Sequence, residues 1–411
     1  MRIEKLTKKS KEVCVNITNG VADSLRIKNV STATVRAYDN GFIGIAGKMG
    51  DADFEALEKE AKDNLLRGIP YPDKPEKPLD KSINVRKHIV NDKDFLPFVS
   101  EAAKRIADEN PSFIINGKAY LNDLETEYSD GSRNLKYAGN SCDFAVIFKD
   151  KKSANIMDGS VAVSGDSLIG EDFFKDVKLK LDCFLSVLPH VKGDKVKVIA
   201  GVEVMTYILQ HFVADVYCNN ASLLNGKLGT KVFSEKLSAM CDRTPEKALL
   251  TPFYDTEGVV NEDYKAYLIK NGVMKGLATT KYSADKYGVE NSGTAAAEYA
   301  GAPSISAIGF DIERTAGSLE ELIGEDEAIY LDLTSGGDMT PDGNISLPVQ
   351  VAFLYKGGKI VGRLPEFSLS GNMFDIFGKD YIGATSLGSI FKSLRRDTVI
   401  VTEMNVVNKK Q

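Results

Sequence analysis

Along the first fifty residues, apolar and polar side chains alternate in short runs. EVCVNIT (12–18), STATVRAY (31–38) and FIGIAG (42–47) therefore predict strands. The period then lengthens: Phe54, Leu57, Ala61, Leu65 and Leu66 fall near helical spacing, with Asp51 placed to cap the helix and Gly68 where a left-handed stop is expected. The segment IPYPDKPEKPLD (69–80) carries four prolines, which remove backbone donors and favour extended forms. It reads as a stiff linker between an N-terminal α+β segment (1–68) and a second α+β segment (81–200).

In that second segment, Phe95, Val99, Ala102, Ala103 and Ile106 form one apolar stripe, predicting a helix over 92–109 with Pro111 just beyond it. SFIING and KAYLNDLETEY flank an Asn116-Gly117 pair that reads as a hairpin turn, and CDFAVIFK (142–149) reads as a strand. After a glycine- and serine-rich stretch (158–170), residues 171–188 read as helix and KVKVIA (195–200) as strand. Residues 202–217 place Val202, Met205, Ile208, Leu209, Phe212, Val213 and Val216 on one face, predicting a core helix that opens a C-terminal domain (201–411). From 247 onward, β signals dominate. KAYLIK and VMKGLAT flank Asn271-Gly272, VQVAFLYK and KIVGRL flank Gly357-Gly358, and the helical interruptions YSADKYG, SLEELIG and NMFDIFG are short. The fold class expected is α+β: a mixed N-terminal region of antiparallel strands and helices, followed by a β-rich C-terminal domain.

Composition narrows the function classes. The 411 residues carry 58 acidic and 52 basic side chains, a net charge of −6, which argues against a chain built to bind nucleic acid or an anionic membrane. No run approaches the length of a membrane span, and the basic N-terminus lacks the apolar stretch of a secretory signal. Five widely spaced cysteines without a Cys-x-x-Cys fit reduced thiols in a cytoplasm. The three histidines, His88, His190 and His211, lie too far apart for HExxH or HExxxH.

Candidate chemistry is sparse. His211 and Asp215 have the i,i+4 spacing of a carboxylate-oriented imidazole, although a supporting role in the fold is the more economical reading. Asp255 and Glu257 in TPFYDTEG (251–258), flanked by Pro and Gly, read as a solvated turn, and Ser335-Gly336-Gly337-Asp338 lacks the lysine of a phosphate loop.

Three long word patterns carry a resemblance. The stretch from VRAYDNGFIGIAGKMG to GIPYPDKP, then TPFYDTEGVV with YLIKNGVMKGLATTKYSADKYGVENSGTA, then GDMTPDGNISLPVQVAFLYKGGKIVGRLPEFSLSGNMFDIFGKDYIGA together resemble the TldD/PmbA family, named as modulators of DNA gyrase and understood as parts of a cytoplasmic zinc peptidase. The likeness covers nearly the whole chain and is strongest over about 250–390. In the family's metal-binding type, an HExxxH helix is followed by an acidic residue five places after the second histidine. If that acid corresponds to Asp215, the histidine positions hold Met205 and Gln210 and the glutamate position holds Thr206. Placing His211 on the second histidine leaves Thr206 at the first, and the last cysteine is Cys241, far from the C-terminal cysteine ligand of the metal-binding type.

The resemblance therefore implies the PmbA/TldE-like sister type, with no catalytic or metal-binding residue and no cofactor of its own, zinc being supplied by a sister subunit. It also implies a homodimer, or a heterodimer with a TldD-like zinc-bearing sister, and peptide as the substrate held. No nucleic-acid or membrane partner is expected. The alternative is a homodimeric peptide-binding protein without a peptidase role.

Overall fold

The computed structural model describes residues 1–191, 193–306, 308–386 and 397–407. Strand outweighs helix, 44% to 21%, with sheets and helices mixed along the chain, as the α+β expectation requires. No helix among the described residues is long and apolar enough to cross a membrane.

The first sheet is built from β1 (Arg2–Thr18), β2 (Val21–Asp39), β3 (Phe42–Met49), β4 (Ile69–Pro70), β5 (Leu79–Asn84), β6 (Phe113–Ser129), β7 (Arg133–Asp150) and β8 (Gly159–Gly165). Its order is β4-β3-β2-β1-β6-β7-β5, with β8 also on β7. Strands from both sides of the proline-bearing stretch thus join one sheet. Helix α1 (Phe54–Asp63) covers β2 and β3 through Leu57 and Ala61, and it is capped by Asp53, whose carboxylate accepts from the amides of Glu55 and Ala56. Gly68 ends the following turn at φ 65°, as expected. Helix α2 (Asp92–Glu109) buries all five residues of its predicted stripe.

At 17 to 19 residues, β1, β2, β6 and β7 are roughly 55–65 Å long. They bury opposite faces at their two ends. In β1 the odd residues Val13, Val15 and Ile17 enter the core beneath α2, whereas Glu4 is the buried position near the start. In β7, Phe144, Val146 and Phe148 face that core, whereas Leu135 and Tyr137 face the other way.

The predicted hairpin at Asn116-Gly117 does not form. Both residues lie inside β6, where Gly117 pairs with Ile17 on one side and Val146 on the other. Neither takes the positive φ that a two-residue turn needs, and a Cβ on Gly117 would lie 2.3 Å from the Ala145 carbonyl oxygen. Pairing on both edges outweighs the local turn signal. The glycine- and serine-rich stretch likewise contains a strand, β8, paired along β7.

Helix α3 (Glu171–Leu185) leads into the C-terminal half. Phe173, Val177, Leu181 and Phe184 share one core with the first sheet and with Ile199, Tyr330, Phe353, Val399 and Val401 of the other large sheet. That sheet begins with β9 (Lys195–Gly201), after which come the short helices α4 (Thr206–Leu209) and α5 (Ala214–Cys218). The small strands β10 (Ala239–Asp242), β11 (Lys265–Lys270) and β12 (Val273–Met274) form a separate sheet. The turn Asn271-Gly272 has φ of 48° and 76°, the expected two-residue hairpin. Next come α6 (Lys281–Tyr287), the pair β13 (Ala295–Ala296) and β14 (Ser304–Ile305), β15 (Phe310–Ile312) and α7 (Leu319–Ile323).

The large C-terminal sheet resumes with β16 (Ala328–Thr334), β17 (Asp338–Met339), β18 (Asn344–Lys356), β19 (Lys359–Arg363) and β20 (Phe367–Asn372). After the helical turn α8 (Met373–Ile376) it ends with β21 (Tyr381–Ser386) and β22 (Thr398–Val407). Its order is β16-β9-β22-β20-β18-β17, and β16 also pairs with β18, so five strands close into a ring. Val198, Ala200, Leu347, Val349, Leu369 and Ile400 belong to the core that fills it.

Candidate functional site

Two regions are candidates for a functional site. The first is 202–218, the position of the resemblance's zinc motif. It is not the continuous core helix the periodicity predicts. A 3-10 turn (Val202–Met205) leads to α4, another 3-10 turn (Gln210–Phe212) follows, and Val213 adopts an extended φ/ψ of −65°/125° before α5 begins. There the chain is held to another element: Ala214 N donates to Ala278 O, and Ala278 N donates to Phe212 O. Val202, Met205, Ile208 and Phe212 are buried as predicted, but Leu209, Val213 and Val216 are only half-buried.

The break separates His211 from Asp215. His211 is buried; its Nδ1 accepts from Leu223 N at 3.3 Å, and its Nε2 has no hydrogen-bond partner. Burial pushes this imidazole below its ordinary value. Asp215 is half exposed, accepts from Tyr287 OH at 2.7 Å and lies 3.7 Å from Lys286 Nζ. At the aligned motif positions, Met205 sits in the core, the Thr206 hydroxyl donates to Glu203 O at 2.7 Å, and Gln210 is exposed. One imidazole beside a thioether, a bonded hydroxyl and an amide does not fit a zinc ion, which takes three or four protein donors. Among the described residues, no group of three His, Cys, Asp or Glu side chains is arranged to hold a metal.

The other region is 249–258, and here the structure overturns the expectation of a solvated turn. Asp255 and Glu257 are 2% and 0% exposed, because the segment docks onto the charged face of the first sheet near the start of β1. Phe253 and Tyr254 anchor it against Tyr128 and Tyr137, and Tyr137 OH donates to Leu249 O at 2.9 Å. Gly258, at φ 75°, lies where a Cβ would be 2.5 Å from the Tyr128 ring, so only glycine permits this approach.

Beneath the segment is a network of buried charges. Glu4 accepts from Arg2 Nη1 at 2.6 Å, Tyr38 OH at 2.8 Å, Tyr128 OH at 2.9 Å and Arg36 Nη1 at 3.4 Å. Arg36 also donates to the Thr256 carbonyl at 2.6 Å, joining sheet to segment. Glu257 accepts from Tyr71 OH at 2.6 Å and from Lys281 N at 2.9 Å, at the start of α6. Asp255 accepts from the backbone amides of Glu257, Val259 and Ala295. Burial, reinforced by the charge of Asp255, pushes the Glu257 carboxyl up to about 7. Burial also raises Tyr38, Tyr71 and Tyr128, which therefore act as neutral hydrogen-bond donors.

Beside the network lies a cavity of about 250 Å³ between β1, β2 and β6 on one side and 250–256 and 295–299 on the other. Arg36 and Arg243 line it, and an open cleft of about 1060 Å³ shares Lys8, Thr32, Leu124, Leu250 and Tyr299 with it. The sequence patterns single out none of Glu4, Arg36, Tyr71, Arg243 and Lys281. The available signal is a charge inside a β-branched strand, Arg36 in STATVRAY, and two aromatic residues directly before Asp255.

Comparison with known proteins places this geometry in context. Residues 194–408 match the family described as the PmbA/TldA metallopeptidase C-terminal domain. A metalloprotease of Methanocaldococcus jannaschii is 30% identical over 244 residues, taking in 56% of this chain and 53% of that protein. An uncharacterized protein of the same organism is 29% identical over 178 residues, 43% of this chain and 41% of that one, so the matches span about half the length of these relatives. The crystal structure of TldE from Thermococcus kodakarensis shares the fold with a TM-score of 0.82 at 18% identity, covering 99% of this chain and 97% of that one.

Proposed function

The chain belongs to the PmbA/TldD metallopeptidase family, and from that premise we propose that it works as the non-catalytic subunit of a cytoplasmic zinc peptidase complex. A TldD-like sister supplies the zinc and the base that activates water; this chain supplies wall and peptide-binding surface. The observation that carries the reading is the side-chain set of 202–218. Met205, Thr206 and Gln210 stand at the motif positions, and the single imidazole, His211, has no acidic partner. Such a set cannot coordinate a metal or generate a metal-bound nucleophile.

The cleft between the first sheet and 247–251 supports the peptide-holding part of the proposal, because it is roomy, open and bordered by strands whose polar residues line it. Free cysteines throughout fit a reducing compartment. Pairing with a sister or another copy follows the closed twofold habit of soluble assemblies. The test is to co-purify the chain with an HExxxH-bearing sister and assay peptide cleavage with and without a chelator. Chelator-sensitive cleavage by the pair and none by the chain alone is the expected result. A chain that binds peptide but never joins the sister would instead be a homodimeric peptide-binding protein.

A further inference from the structure

We propose that the 250 Å³ cavity beside the buried network receives the chain-terminal carboxylate of a peptide, with Arg243 as its principal holder and Arg36 assisting. This deepens the peptide-binding reading above and rests on it.

On the two arginines that line the cavity, three buried guanidinium nitrogens have no hydrogen-bond partner: Nε and Nη2 of Arg243, and Nε of Arg36. The side chains are 5% and 1% exposed, and both line the cavity. A buried donor left unpaired costs about 1–3 kcal/mol, more for a charged group, so such donors mark a place where an acceptor belongs. Most of the protein's own acceptors nearby are already used, the hydroxyl of Thr256 being left without a partner. Asp255 takes three backbone amides, Thr256 O takes Arg36 Nη1, and Tyr254 O takes Arg243 Nη1 at 3.1 Å. Glu4 is shared among two arginines and two tyrosines. What remains is a pair of arginines in a chamber with an apolar wall of Leu6, Leu124, Leu250 and Pro252, its lining also carrying Glu127 and Glu298. A carboxylate attached to one apolar side chain matches both parts, since a guanidinium holds a carboxylate through paired, charge-assisted bonds.

The adjoining cleft supplies the direction. It shares walls with the cavity and opens outward past Lys8, Lys11, Lys28 and Lys247, giving the rest of the peptide a path away from its buried end.

The experiment uses the whole purified chain and three probes that differ only at the end: acetyl-Ala-Ala-Leu as free acid, the same peptide as amide, and acetyl-Ala-Ala-Glu amide. Calorimetry should show the free acid binding about tenfold or more tighter than the leucine amide, the worth of a charge-assisted pair. Arg243→Gln should reduce the acid to the level of the amide without changing the amide. Equal affinity of acid and amide on the unmodified chain overturns the proposal while leaving peptide binding intact, and that comparison does not depend on whether the variant folds. Glutamate amide binding as tightly as the free acid overturns the chain-end assignment in favour of an acidic side chain. No binding by any probe overturns both the pocket and the peptide-binding reading beneath it.

Discussion

Residues 202–218 and residues 251–258 make opposite use of burial. The zinc-motif stretch stands where the family resemblance puts catalytic chemistry, yet its buried side chains are apolar apart from His211. The docked segment has the sequence of a surface turn, yet it buries Asp255 and Glu257 and closes over Glu4 and Arg36. Burying charge is costly unless every group is paired, so a fold that retains such a cluster ties its ion pairs to a specific geometry. The contrast locates a buried charge cluster at the junction of the first sheet with 249–258.

The comparison breaks most readily at Glu4. Glu4→Ala leaves Arg2, Arg36, Tyr38 and Tyr128 without their shared acceptor and should cost about 4 kcal/mol, read from urea or guanidinium unfolding. A loss under about 1 kcal/mol would mean that the cluster is not a working unit. In the other region, Ile208→Ala removes a fully buried side chain from the C-terminal core and should cost about 3 kcal/mol as an ordinary cavity.

The two regions also differ in how they respond to pH. The Glu257 carboxyl is held up to about 7 in the folded chain, above its ordinary value of 4.5, so the native state holds its proton more tightly than the unfolded one. Its contribution is therefore fully present below about pH 4.5 and is lost as pH rises through about 7. Glu257→Gln should gain on the wild type between pH 5 and pH 8, and a difference between the two proteins that does not change with pH would contradict this.

The smallest effect belongs to Asp215. Asp215→Asn should change stability by less than about 0.5 kcal/mol, because its partners Tyr287 and Lys286 lie at the surface. It should also leave the His211 titration unmoved and below the ordinary imidazole value, as followed by NMR. A clear shift of His211 in that variant would restore the proton-transfer pair that the break at Val213 removes.

The structure bears out the sequence patterns wherever each element buries one continuous face. The α2 stripe, the Asn271-Gly272 and Gly357-Gly358 hairpins and the short helices of the C-terminal half all lie where periodicity and turn chemistry put them. Residues 2–11 show no strand alternation in the sequence because the buried position of that part of β1 is a charge, Glu4. The break in 202–218 is tertiary in origin: Phe212 and Ala214 bond to Ala278, more than sixty residues away, and no local signal announces it. The buried network was illegible for the same reason. Its members come from β1, β2, β6, the proline-bearing segment and 243–281, and no one of these stretches by itself shows that they meet.

The most direct test of the subunit account is a titration of the purified chain against its zinc-bearing sister, with peptide cleavage and elemental zinc followed together. Cleavage should rise to a plateau at one-to-one stoichiometry, vanish with chelator, and be accompanied by zinc that enters only with the sister. About one zinc per chain in this protein by itself, with chelator-sensitive cleavage before any sister is added, would contradict the account.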